Sequence, residues 1–187
     1  KPVQKPYPVL GVAASSKRTH EWAGREGYAL LSANSYQGTE AQVEYLDAYF
    51  KAFTPHPGSP TPKPLVGIQL YAGCSETKRQ AEEDWIPGFQ AYAKIATDAY
   101  PRLAKLADDY SYMTKLMEPI YRAADDMDYL IEDSGSVVLG DPDQCIRQLE
   151  KYQALGIDEV FLRIDSARHE KIMKAIELFG RYVIPHF

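Results

Sequence analysis

Cysteine is scarce in this sequence, because Cys74 and Cys145 are the only two among 187 residues. They lie far apart, and neither has another cysteine or a histidine at the spacing of a metal site. We therefore expect neither a zinc site nor a disulfide framework, and we expect a reducing, cytoplasmic location. A pairing of the two thiols in the fold is left open.

Long hydrophobic runs and an excess of positive charge are also lacking. No stretch approaches the ~20 uninterrupted apolar residues of a membrane-spanning helix, so no membrane association is expected. The formal net charge is -5, and Lys and Arg are scattered along the chain. Nucleic-acid binders normally carry a basic face, so no nucleic-acid partner is expected either.

The first eight residues have neither an initiator methionine nor a polar tail. Three of them are proline, which holds an extended lead-in to the first strand. This start predicts that further sequence precedes Lys1 in the complete protein. The hydrophobic content of 45% is typical of a globular chain with one ordinary core.

The opening strand, turn and helix carry the first functional signal. Val9–Ser16 is an apolar run that ends in two serines, which predicts a strand buried on both faces. Ser16 is expected to cap a helix that ends at Gly27. The first amides of that helix, the two hydroxyls and Lys17 or Arg18 would together favour a bound phosphate. Plain helix capping is the competing interpretation of the same residues.

Two further strand and helix pairs follow. Tyr28–Ser35 and Leu65–Gly73 are short apolar runs that end in small residues, like the first strand. A helix is predicted over Gln37–Phe53, with Thr39 as its cap. The five prolines in Thr54–Pro64 predict a surface loop between that helix and the next strand.

A helical insertion is predicted over residues 75–134. We expect it to fold over one end of the sheet, with Pro87-Gly88 kinking or splitting its first helix. Its aromatic face would form either a wall of a ligand pocket or ordinary core. The residues of that face are Tyr110, Tyr112 and Tyr121.

The end of the chain contains one more well-marked helix and the last strand. Ser136–Pro142 is predicted as a short extended piece that leads into a helix, with Asp141 as the cap of that helix and Pro142 at its first position. The last strand, Glu159–Asp165, places Arg163 and Asp165 on one side, either as functional groups or as a structural pair. No histidine has a partner that would indicate catalysis.

This pattern predicts an α/β fold with four parallel strands, outer helices and a helical insertion before the last strand. An open doubly wound sheet and part of an eight-stranded barrel both fit it. Because four strands cannot close such a barrel, the barrel interpretation makes residues 1–187 its second half.

The order of these motifs resembles the carboxyl-terminal half of the bacterial luciferase-like flavin monooxygenase family, whose members are (β/α)8 TIM barrels. The motifs are Gln4-Lys5-Pro6-x-Pro8 before Val12–Ser16, Glu21-Trp22-Ala23-x-x-x-Gly27, Gly140-Asp141-Pro142-Asp143, Leu155–Leu162 and the terminal Val183-Ile184-Pro185-x-Phe187.

The resemblance implies a cofactor and a position for it. Family members bind reduced FMN, or a deazaflavin in some branches, and the flavin-using branches oxidise organic substrates with O2. The loop that holds the cofactor phosphate corresponds to Ala14, Ser15 and Ser16, with Arg18 assisting. Ser32 and Asn34 correspond to residues that either contact the substrate or merely turn the chain.

The resemblance also implies partners. We expect a small organic substrate, a flavin reductase or NAD(P)H as the source of reducing equivalents, and a possible homodimer. Contacts to the flavin ring come from the first half of the barrel in this family, so this segment alone is expected to be inactive. We also expect it to be poorly soluble, to associate with itself or to depend on a missing segment. A non-catalytic flavin-binding or phosphate-binding protein and a deazaflavin-dependent oxidoreductase are the alternatives.

Overall fold

Five parallel strands form one sheet in the computed structural model, which describes residues 3–33, 37–56, 60, 62–106 and 117–187. The sequence predicts only four, because the extended piece after the insertion is too short to be recognised as a strand. The strands are β1 Gly11–Ala14, β2 Ala29–Ser32, β3 Val66–Cys74, β4 Val137–Gly140 and β5 Glu159–Arg163.

The long strand β3 is the centre of the sheet. Strand β1 pairs with β2, and β2 pairs with the beginning of β3. Strand β5 pairs with Gly67–Tyr71, and β4 pairs with the last four residues of β3. Every pairing is parallel, which confirms the predicted parallel α/β architecture.

The helices connect these strands, as parallel pairing requires. None of the helices in the described ranges combines the length and the hydrophobicity that a bilayer crossing needs. They are α1 Lys17–Arg25, α2 Thr39–Ala52, α3 Lys78–Leu103, α4 Met117–Asp125, α5 Pro142–Ala154 and α6 His169–Leu178, with π-helical turns at Tyr129–Asp133 and Phe179–Val183.

Two predicted helix features are corrected by the structure. Gly38, with φ of +94°, precedes α2, and the Thr39 hydroxyl donates to the Asp133 carbonyl instead of capping the helix. Helix α3 continues through Pro87, so the Pro87-Gly88 pair does not split it. Burial of Trp85 and Phe89 holds that segment against the sheet despite the missing proline donor.

The insertion packs on the sheet near the end of β3. Trp85 of α3 covers Gly73, where an added Cβ would lie 2.4 Å from the indole ring. Of the three predicted aromatic residues, Tyr121 is half exposed on α4, and Tyr110 and Tyr112 lie outside the described residues. The boundaries 75–134 stay a prediction.

The two faces of the sheet differ in burial. Val66, Ile68, Leu70 and Ala72 alternate along β3 and are fully buried. On the other face, Gly11 and Ala13 of β1 are exposed, so the prediction that this strand is buried on both faces is wrong. It is wrong because the helices cover only one face of this edge strand. We call the second face, which includes Ala13, Leu31, Gly67 and Glu159 in one row across four strands, the open face.

Candidate functional site

Ser16 caps helix α1, as the sequence predicts. Its Oγ accepts a hydrogen bond from the Thr19 backbone N–H at 3.4 Å and lies 3.0 Å from the Thr19 hydroxyl. The helix ends before Gly27, whose φ is +67°. Because the Ser16 hydroxyl is already used within the helix, its first role is to begin α1.

Ser15 is free for a ligand where Ser16 is not. Its Oγ has no hydrogen-bond partner among the described residues, and its side chain is only half buried. Its carbonyl accepts from Gln37 Nε2 at 3.2 Å, which fixes the backbone of the turn. Continuing the alternation of Gly11 and Ala13 places the Ser15 side chain on the open face.

The charge around this turn is positive and comes from Arg18. The first turn of α1 contains no acidic residue, and the backbone N–H groups of Lys17 and Arg18 have no intrahelical partner. Lys17 bonds Glu44 of α2 at 2.5 Å, and this contact raises its pKa. Arg18 is exposed and has no ion-pair partner among the described residues, so it is the cation left for an anion.

These are the groups that would hold a phosphate. One hydroxyl, two amides and one guanidinium without a partner among the described residues lie within Ser15–Arg18, where a parallel strand passes into a helix. We name the segment Ala14–Arg18 the anion turn.

His20 holds the anion turn in place through hydrogen bonds to Ser16 and Ser32. This role was not predicted from the sequence. Its Nδ1 lies 2.8 Å from the Ser16 carbonyl and its Nε2 lies 2.9 Å from Ser32 Oγ. Since a carbonyl only accepts, Nδ1 carries the proton and Nε2 accepts from the Ser32 hydroxyl. The available signal was its position four residues after the capping serine, which places its ring under the start of the helix.

Ser32 is buried and its hydroxyl bonds His20, so its side chain is not exposed to a ligand in this structure. The predicted contact between Ser32 and a substrate has no geometric support here, because its side chain lies on the helix-covered face with Leu30. Asn34 lies outside the described residues, and its substrate contact stays a prediction.

The charge state of His20 couples the turn to pH. Burial lowers the pKa of His20, and the bond to the Ser16 carbonyl opposes part of this effect. Because the pKa of His20 is lower in the folded protein, the unfolded chain binds a proton at a higher pH than the folded protein does. The contribution of neutral His20 to folding stability is therefore present above about pH 6.5 and is lost as the pH falls below that value.

We therefore expect the thermal midpoint of the protein to decrease when the pH is lowered from about 7.5 to about 5. The decrease should be smaller in His20→Asn. The asparagine keeps a donor near Nδ1 but has no group that titrates. Thermal denaturation of both proteins at the two pH values measures this difference. An equal loss in both would show that His20 does not carry the acid sensitivity.

A second polar cluster lies at the end of β5. Arg163 Nε donates to Asp165 Oδ2 at 2.7 Å, so the predicted pair exists. The guanidinium carbon also lies 4.5 Å from the ring centroid of Tyr92 in α3. Within the described residues, no group of three or more His, Cys, Asp and Glu side chains is placed to hold a metal ion.

A parallel sheet with unpaired helix amides at the carboxyl ends of its strands is an arrangement found in cofactor-binding α/β enzymes. The sequence pattern of the family described as luciferase-like monooxygenase matches residues 1–159. The chain belongs to this family, which confirms the resemblance drawn from its motifs. Comparison with curated protein sequences finds no match.

Solved structures share the fold at low sequence identity. Apo-MsnO8 is 21% identical, with a TM-score of 0.63 over 98% of this chain and 53% of its own. The oxygenating constituent of 3,6-diketocamphane monooxygenase from Pseudomonas putida, solved with FMN, is 16% identical with a TM-score of 0.59, over 94% of this chain and 47% of its own.

A third structure has a different cofactor in its name. The coenzyme F420 dependent tetrahydromethanopterin reductase from Methanopyrus kandleri is 19% identical with a TM-score of 0.57, and 95% of this chain aligns with 50% of that one. The chain thus spans about half the length of these relatives. Together with its parallel sheet, this coverage agrees with the predicted partial barrel.

Proposed function

We propose that this chain is the carboxyl-terminal half of a flavin-dependent monooxygenase that oxidises an organic substrate with O2 and reduced FMN. The observation that carries the proposal is the anion turn, which contains the Ser15 hydroxyl, the first α1 amides and the exposed Arg18, none of them with a partner among the described residues. Membership of the luciferase-like monooxygenase family supports the reaction class.

Each residue of the turn has its own task. The Ser15 hydroxyl and the Lys17 and Arg18 amides donate hydrogen bonds to phosphate oxygens, and the Arg18 guanidinium adds charge. His20 and Gln37 hold the Ser16 and Ser15 carbonyls, so the amides stay directed outward. The bound flavin supplies the redox chemistry, and the protein supplies its position.

Riboflavin provides a matched ligand for the test, since it has the same ring as FMN and no phosphate. Titration of the chain by flavin fluorescence should give tighter binding of FMN than of riboflavin. Equal affinities would remove the phosphate role. Oxygen consumption with enzymatically reduced FMN and an organic substrate then separates an oxygenase from a protein that only binds flavin. It is measured with the first half of the barrel present, because this segment alone is expected to be inactive.

A deazaflavin-dependent oxidoreductase is the second candidate. It is favoured by two structural relatives whose names include F420, the Methanopyrus kandleri reductase and a secondary alcohol dehydrogenase with a TM-score of 0.55 and 13% identity. Visible absorption after incubation with each cofactor distinguishes the flavin-dependent from the deazaflavin-dependent enzyme, because the two cofactors have different spectra and only the bound one is retained.

The open face supports the proposal that further strands complete the barrel. A groove of about 360 Å³ runs along it and includes Val9, Leu31, Gly67 and Phe161. Phe161 packs on Gly67 and remains 49% exposed. Such an apolar sheet face beside unpaired strand edges favours association with another chain or segment.

We expect the isolated 187-residue chain to self-associate, and Phe161→Thr to weaken this association on the order of tenfold by removing apolar area. Val43→Thr is the matched control, since Val43 is 44% exposed on helix α2. Light scattering over a concentration series measures both variants. A wild-type chain that stays monomeric throughout would contradict the expectation.

A further inference from the structure

Arg163 lies between two tyrosines that come from different elements. Its guanidinium carbon is 5.2 Å from the ring centroid of Tyr71 in β3 and 4.5 Å from that of Tyr92 in α3. The two tyrosine rings are 5.2 Å apart. Asp165 holds Nε and thereby fixes the orientation of the planar guanidinium. We call Tyr71, Tyr92, Arg163 and Asp165 the arginine cluster.

The arginine cluster and the anion turn share one face and one edge of the sheet. Arg163 is paired with Tyr71 in the sheet. Arg163 lies two residues after Phe161 and Tyr71 lies four residues after Gly67, so both are on the open face. All strands run parallel, so Arg163 and Ser15 both lie at their carboxyl ends. Strands β1 and β5 are three positions apart, which separates the two sites by about 14 Å at the usual strand spacing.

The donors of Arg163 are not all used by the protein. A guanidinium has five N–H groups, of which Nε donates to Asp165. The Arg163 side chain is 33% exposed, so its remaining donors are open to a ligand. The neighbouring Arg163 guanidinium lowers the pKa of Tyr92, which makes the Tyr92 hydroxyl a stronger donor.

The surroundings determine which ligand fits. Tyr71 and Tyr92 flank the guanidinium, and Phe161 precedes it on the same face of β5, so the site is walled by aromatic rings. Asp165 neutralises much of the arginine charge, which disfavours a phosphate or a second carboxylate. A flat ring that carries one partly charged oxygen matches these groups.

We propose that Arg163 and Tyr92 bind the phenolic oxygen of an aromatic substrate whose ring lies against the exposed Phe161. This inference rests on the proposed function, because it assigns the substrate end of the same site. Arg163 and Tyr92 donate to the oxygen, and Asp165 is a positioning residue that aims the guanidinium.

A chromophoric probe tests the inference on the 187-residue chain. 4-Nitrophenolate supplies the charged oxygen, and 4-nitroanisole has the same ring with that oxygen methylated. We expect the chain to bind 4-nitrophenolate at least about tenfold more tightly, with a shift of its visible band. Tyr92→Phe and Arg163→Lys should each reduce this preference by about tenfold and leave the affinity for 4-nitroanisole unchanged.

Arg181→Lys is the matched control. Arg181 also lies over a tyrosine ring, 5.6 Å from the centroid of Tyr182, and pairs with Glu177, but it belongs to the exposed end of the chain. Its replacement should leave the nitrophenolate preference unchanged. Thermal midpoints of all variants report whether the helix α3 contact is still intact.

The outcomes separate the two proposals. An equal affinity for the two probes, or an unchanged preference in Tyr92→Phe and Arg163→Lys, overturns the role of the arginine cluster. A lower thermal midpoint with an unchanged preference shows a purely structural contact and overturns it as well. If FMN binds no better than riboflavin while the nitrophenolate preference holds, the proposed function fails and the cluster stands.

Discussion

Replacing Ser15 with alanine should weaken FMN binding by about 10- to 150-fold. The Ser15 hydroxyl has no hydrogen-bond partner among the residues that the structure describes. A hydrogen bond to a charged acceptor contributes about 1.5–3 kcal/mol. Fluorescence titration with FMN measures the loss. Riboflavin affinity should stay the same, because the missing bond is to the phosphate.

The structure separates the two serines that the sequence treats together. Ser16→Ala removes the cap of α1 and should cost about 1 kcal/mol of folding stability. Its effect on FMN would then be indirect. Thr77→Ala is a matched control, because Thr77 caps α3 through a bond from the Gln80 N–H and lies far from the turn in sequence. If Ser15→Ala binds FMN as tightly as the wild type does, Ser15 does not contact the phosphate.

Local signals in the sequence predicted the boundaries of several elements correctly. Asp141 and Pro142 begin helix α5 through a capping box, with Gln144 bonding back to the Asp141 N–H. Gly27 follows the last residues of the first helical unit with φ of +67°, the left-handed conformation in which glycine ends helices. These predictions succeed because each depends on residues only a few positions apart.

Contacts between distant segments account for what was missed. The bond between His20 and Ser32 joins helix α1 to strand β2, and the bond between Lys17 and Glu44 joins α1 to α2. The first gives a histidine without an apparent partner a supporting role, and the second leaves Arg18 as the free cation. Neither can be inferred from spacing, because the pairing depends on how the elements pack.

The arginine cluster is a further case in which the sequence predicted a local pair of residues but not the distant residue that packs against it. The sequence correctly placed Arg163 and Asp165 on one side of the last strand, since alternate residues share a face. It gave no indication of Tyr92, which reaches Arg163 from the insertion. A structural pair in the sequence thus becomes part of a candidate site only when α3 is folded over the sheet.

The insertion is held in that position by Gly88. An added Cβ at Gly88 would lie 1.8 Å from the Ser166 carbonyl oxygen, in the segment that follows β5. Because that contact is with backbone, no side-chain rotation relieves it. Gly88→Ala should therefore destabilise the fold by about 1–3 kcal/mol or more, even though alanine favours helix formation. At this chain length, the thermal midpoint should fall by about 2–4 °C for each kcal/mol.

Gly180→Ala is the control for this substitution, because an added Cβ at Gly180 meets nothing within 4 Å. We expect its thermal midpoint to equal or slightly exceed that of the wild type. Gly88→Ala should also reduce the nitrophenolate preference, since Tyr92 lies one helical turn beyond Gly88 and would move away from Arg163. A Gly88→Ala protein as stable as Gly180→Ala would show that α3 does not approach Ser166, and the arginine cluster would lose its third element.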